Sequence, residues 1–165
     1  MPTDIEVRLM RLLNSIELRR GLAGEIEAMG TEAVTVVCDA ALGTYVGQRP
    51  WIRNRAAALV GVMRHPQAVE TLALLVASDS APVSRRALRA VRRRERHDLV
   101  PDVQGLLDRE DTPPTLAAEA VLTLAALNTK PARAAIAKYE SKTGGPSTHR
   151  SSPVVRRALS RSARA

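Results

Sequence analysis

Seven arginines fall within twelve residues: Arg85, Arg86, Arg89, Arg92, Arg93, Arg94 and Arg96. A guanidinium is permanently charged and carries five N–H donors in a planar fork, which suits carboxylates and phosphates. On a helix of about 100° per residue, every one of them except Arg94 shares one face. Val83, Ala87, Ala90 and Val91 take the opposite face. Arg94 falls on the apolar side near the helix end, within reach of terminal carbonyls. This pattern describes either an anion-binding face or a solvated face whose charges pair with neighbouring helices.

Other reactive side chains are sparse. His65 and His97 stand 32 residues apart, each near a turn, which suggests capping or structural use. Asp108, Glu110 and Asp111 form a turn cluster better suited to helix caps than to a metal. Cys38 lies on an apolar stripe and reads as a small core residue. A single Cys excludes an intramolecular disulfide and a Cys-based zinc cluster. No catalytic residue, cofactor or metal is expected.

The elements that position these residues are helices. The chain has 165 residues, is 45% apolar, and draws its apolar residues from Ala, Leu and Val. Its only aromatics are Trp51, Tyr45 and Tyr139. Strands favour aromatic and β-branched residues, so this composition argues for an all-α protein. Pro50, Pro66 and Pro82 are spaced by 16, and Asp98, Pro114 and Pro131 continue the rhythm. Proline suits the first helical turn. Ser80, Thr112 and Thr129 precede prolines as candidate caps, and Asp98 is a candidate cap itself.

The stripes recur. Ile52, Ala56, Leu59 and Val60 are matched 31 residues later by Val83, Ala87, Ala90 and Val91, and 33 beyond that by Leu116, Ala120, Thr123 and Leu124. Between them lie Val69, Leu72, Leu75 and Val76, then Val100, Val103, Leu106 and Leu107. A two-helix unit at this period is the signature of an α-solenoid. Upstream, Thr3 and Glu6 have capping-box spacing, and Ile5, Leu9, Leu12, Leu13 and Ile16 line one face. The expected fold is an α-α superhelix of about four helix pairs with an N-terminal capping helix, about nine helices over residues 3–140. Residues 141–146 read as a linker and 141–165 as a flexible basic tail. Within that tail, 153–160 echoes Pro82-Val83-Ser84-Arg85-Arg86-Ala87-Leu88 as a partial repeat.

Val83 and Ala87, preceded by Asp79 and followed by Val91, resemble a HEAT-type repeat of the short bacterial, bilin-lyase-like kind. Ile52-Arg53 with Ala56 and Leu59 matches this family more fully, because the family places Arg directly after the β-branched residue. Ser84 and Ala117 stand at the equivalent positions, so the arginine ladder of the family is incomplete. The resemblance covers about residues 30–140. It implies a protein-binding solenoid whose second helices line the concave surface, which would make the arginine face a concave anion-binding patch. No His-Glu pair has the ligand spacing of the iron-binding HEAT hydroxylases. Against the HEAT-like DNA glycosylases, Trp51 reads as a helix-start aromatic packed on the preceding turn.

Charge is localised. Residues 49–96 carry eleven basic and three acidic side chains, and residues 141–165 carry six basic and none acidic. The flanking segments, 1–45 and 97–140, each carry four basic and seven acidic. Arg55, Arg86 and Glu119 occupy one column in successive repeats, which predicts an Arg86–Glu119 pair. The arginine columns do not continue across repeats, and stacking aromatics are nearly absent, which disfavours nucleic acid. The expectation is therefore a non-catalytic scaffold or adaptor binding an acidic segment of a protein partner. Its contacts would be Arg55, Arg85, Arg86, Arg89, Arg92, Arg93 and Arg96. Sequence-nonspecific nucleic-acid binding through the same face and the tail is the alternative. No apolar run reaches membrane-spanning length and Met1–Asp4 lacks a signal-peptide layout, so a cytoplasmic location is expected.

Overall fold

A computed structural model describes residues 3–15 and 21–143. Among these there are nine α-helices, one 3-10 turn and no strand. The helices are α1 (Asp4–Asn14), α2 (Leu22–Ala28), α3 (Thr31–Leu42), α4 (Pro50–Val60), α5 (Pro66–Val76), α6 (Ala81–Arg93), α7 (Val100–Asp108), α8 (Pro114–Leu127) and α9 (Lys130–Thr143). The 3-10 turn, His97–Leu99, leads into α7. This is the all-α, α-α superhelix class that the stripes predict. Ile16, the tail beyond residue 143 and the partial repeat at 153–160 lie outside the described residues. No described helix is long and apolar enough to cross a membrane.

Local chemistry sets the helix boundaries. Thr3 and Glu6 form the capping box: Glu6 N–H donates to Thr3 Oγ1 at 3.2 Å, and Thr3 N–H donates to Glu6 Oε2 at 2.7 Å. Proline opens α4, α5 and α8. His65 caps α5, its Nδ1 accepting from Gln67 N–H at 3.3 Å. Glu27 Oε1 reinforces that helix start by accepting from the backbone N–H of Arg64 and of His65. Thr129 caps α9 through Ala132 N–H at 3.2 Å. Gly43 and Asn128 end α3 and α8 in the left-handed region.

Three boundaries differ from the sequence reading. Thr112 does not cap α8: its hydroxyl donates to the Leu106 carbonyl at 2.6 Å, closing the loop before Pro113. Asp98 does not cap α7, because its carboxylate is taken by Arg96. The last helix runs on through Ser141, Lys142 and Thr143, where the expected linker begins. Their side chains bond the carbonyls of Lys138, Asp108 and Tyr139, which holds this polar stretch helical.

The chain divides between Ala87 and Leu88 into two compact units. In the first, α3 packs on α4 and α5, and α1 and α2 pack on α3 and α4. Leu9, Ile26, Val37, Val60, Leu72 and Leu75 are fully enclosed there. In the second, α7 packs on α8 and α9, and α8 on α9, around Val103, Val121, Leu124 and Ile136. The described residues of the predicted stripes lie in these cores, with Ile5, Leu12 and Val69 half-buried. Two of the buried polar side chains bond nearby carbonyls: Ser84 Oγ donates to the Val76 carbonyl at 2.5 Å, and Thr123 Oγ1 donates to the Glu119 carbonyl at 2.8 Å.

Candidate functional site

Amphipathic periodicity puts the arginines of α6 on the side away from its buried stripe of Val83, Ala87, Ala90 and Val91. Arg86, Arg89 and Arg93 are exposed, and Arg85, Arg92, Arg94 and Arg96 are half-buried. Their partners divide them further.

In the first unit, Arg86 Nε donates to Asn54 Oδ1 on α4 at 2.6 Å. Arg55 turns the other way. Its Nη1 donates to the carbonyls of Leu13, at 3.0 Å, and Ser15, closing the C-terminal end of α1, while its guanidinium carbon lies 5.0 Å from the Trp51 ring centroid. Trp51 is 38% exposed at the start of α4.

In the second unit, Arg89 and Arg92 converge on Glu119 of α8. Their Nε and Nη2 lie 3.5 and 3.1 Å from Glu119 Oε1. Within this unit the partners of Glu119 are thus Arg89 and Arg92, whereas the column register points to Arg86. Residues 89 and 92 are one turn apart on the same face, and it is this turn that meets Glu119. Glu119 is only 12% exposed, whereas the arginine side chains are 48% and 32% exposed. Oε1 itself is shut off from solvent and receives no well-directed hydrogen bond, so the contact is an ion pair rather than a fork. Arg93 has no ion pair or side-chain hydrogen bond to any described residue.

Arg96 lies beyond the end of α6, past Glu95 in a left-handed conformation. It donates from Nε to Asp98 Oδ1 at 2.7 Å and from Nη2 to Oδ2 at 2.5 Å. These hydrogen bonds hold the Asp98 carboxyl below its ordinary range and raise the guanidinium. The helix ends before residue 96, so Arg96 is not on the helical face that a continuous 100° projection gave it. The structure brings Arg89, Arg92 and Arg93 together on one stretch of α6 and commits Arg55, Arg86 and Arg96 to other partners.

The sequence reading had no signal for one further feature. An open groove of about 440 Å³ in the second unit is lined by Leu107, Thr112, Pro114, Ala117, Tyr139 and Lys142. Burial raises the Tyr139 phenol. Among the described residues no group of three or more His, Cys, Asp and Glu side chains is placed to hold a metal ion. His65 is a helix cap, and Cys38 is buried in the core of α3.

No family model matches the chain, and no curated protein matches it. A solved structure does: human deoxyhypusine hydroxylase in complex with glycerol, a HEAT-repeat α-solenoid protein. It is 20% identical, with a TM-score of 0.61, over 80% of this chain and 44% of that one. The fold is HEAT-like.

The chain spans less than half the length of that hydroxylase, and at this identity the likeness carries the fold alone. It is enough to correct one expectation. The solved HEAT-like protein is an enzyme, so a non-catalytic scaffold or adaptor, for protein or for nucleic acid, does not follow from this architecture. The physical reason is that a solenoid presents side chains from successive helices on one surface. Spacing within a single helix therefore does not exclude a reacting constellation, and fold does not fix function.

Proposed function

We propose that the chain recognises a protein partner carrying an acidic segment through Arg89, Arg92 and Arg93 on α6, and that it is a HEAT-like repeat protein of the short bacterial, bilin-lyase-type kind. The reading concerns recognition and assigns no chemical step. The observation that carries it is a charge imbalance. Three guanidiniums stand within five residues, one described carboxylate meets two of them, and Arg93 is exposed with no described partner. Outward N–H groups on partly exposed guanidiniums suit bidentate capture of carboxylates. Leu122 and Ala126 follow Glu119 at helical spacing along α8 and supply apolar surface beside the charges. Arg96, in the same unit, is a secondary member of the set.

The test is fluorescence anisotropy with a labelled deca-glutamate peptide, beside duplex and single-stranded DNA and RNA, at two salt concentrations. The reading expects the peptide to bind and Arg89→Glu/Arg93→Glu to abolish binding. Equal or tighter binding of nucleic acid, lost in the same variant, would overturn it.

A further inference from the structure

Glu119 is the one carboxylate among the described residues that meets this arginine cluster. It is largely buried, yet its Oε1 gains only one contact from each of two guanidiniums, at 3.5 and 3.1 Å. The longer distance lies outside hydrogen-bonding range. Each guanidinium has five N–H donors, so most of the binding capacity of Arg89 and Arg92 is turned elsewhere. The pair therefore does not satisfy the arginines. What it does is place a fixed negative charge beneath them.

We propose that Glu119 is the affinity-setting residue of the arginine face, an internal carboxylate that opposes the acidic groups of the partner. The inference rests on the reading of this face given above. A carboxylate arriving at Arg89, Arg92 and Arg93 meets the attraction of three guanidiniums and the repulsion of one carboxylate a few ångströms behind them. The low exposure of Glu119 matters, because a charge with little water around it is screened less than one on the surface. The same charge selects between ligands. A peptide presenting several carboxylates bridges Arg93 and the outer edges of Arg89 and Arg92, whereas a single carboxylate competes with Glu119 for the same two side chains. Glu119 thus favours an extended acidic segment over an isolated acidic side chain.

The experiment measures affinity for the labelled deca-glutamate peptide in wild type, Glu119→Gln and Glu119→Met, with Glu70→Gln on the exposed surface of α5 as a control for overall charge. Gln keeps the size of the side chain and an acceptor oxygen, and Met tests removal of the charge with a different packing. Each variant is checked by urea unfolding. Both Glu119 variants are expected to bind about three- to tenfold more tightly, with the gain shrinking as salt rises, while Glu70→Gln shows no gain. Binding by the two variants but not by wild type supports the same conclusion. If wild type binds and the two variants bind equally or more weakly, Glu119 merely positions the arginines and the inference is overturned, leaving the arginine face intact. A gain of the same size in Glu70→Gln overturns it too, since overall charge then explains the effect. If none of the proteins binds the peptide, the recognition reading falls and the inference with it.

Discussion

A Cβ on residue 43 would stand 3.0 Å from Nε of Arg53. Gly43 ends α3 at φ 82°, and Arg53 of α4 lies against it, donating to the Ala41 carbonyl at 3.2 Å and to Ser78 Oγ at 3.0 Å. Its Nη2 also meets Asp79 at 2.9 Å, a carboxylate that is 85% exposed. Arg53 thus ties the end of α3 to the loop before α6, and glycine makes room for it.

Gly43→Ala is expected to lower stability by about 1–2 kcal/mol from the left-handed conformation alone, with a further loss from displacing Arg53. Arg53→Ala is expected to cost about 1–2 kcal/mol, mostly through its hydrogen bonds to Ala41 and Ser78, because the exposed ion pair adds little. Urea unfolding of both variants and the double mutant checks the coupling. The glycine substitution should cost less once Arg53 is gone, and strict additivity would show that the two do not touch.

Thr123 is a polar member of the α8 core. Its hydroxyl donates to the Glu119 carbonyl, and the Leu88 carbonyl lies 3.3 Å away. Thr123→Val keeps the shape and removes the donor. We expect a loss of about 1 kcal/mol in urea unfolding. Unchanged or raised stability would mean that the hydroxyl contributes nothing beyond its volume.

The carboxyls of Asp79, Asp98, Asp108 and Asp111 are held below their usual value by hydrogen bonds from Arg53, Arg96, Lys138 and Arg109. Each native carboxyl titrates below its unfolded counterpart. The stabilisation is therefore complete above the unfolded value, near pH 4, and is lost as pH falls through the native values. Because these pairs are exposed, the urea midpoint should fall modestly below about pH 4, and Asp98→Asn should make that fall shallower. A midpoint constant from pH 6 to pH 2 contradicts this.

Cys38 is enclosed within α3, and burial raises its thiol above the ordinary value. At pH 8 the native protein should leave Ellman's reagent unreacted on a timescale of minutes, with reaction appearing on unfolding in urea. Rapid stoichiometric reaction of the folded protein would show that the thiol is accessible.

Much of the fold was legible in the sequence, because local rules and the core agree. Prolines mark helix starts, the stripes of Ile52 and Val83 are the buried faces, and the capping box of Thr3 and Glu6 forms as spaced. The misreadings fall where a side chain had two uses. Asp98 and Thr112 are good caps by type, but a nearby arginine and a loop carbonyl took them first. Arg96 lies past the end of the helix whose projection would set it on the arginine face.

Periodicity and composition act over a few residues, and they already specify an all-α chain with paired helices and arginine concentrated on α6. Which arginines remain available depends on how the helices pack. Arg55 is used on α1, Arg86 on Asn54 and Arg96 on Asp98, while Arg89 and Arg92 share Glu119 and Arg93 stands clear. Apart from Arg96 and Asp98, that choice depends on distances of about 3 Å between residues 27 to 42 positions apart, and no helical period encodes such distances.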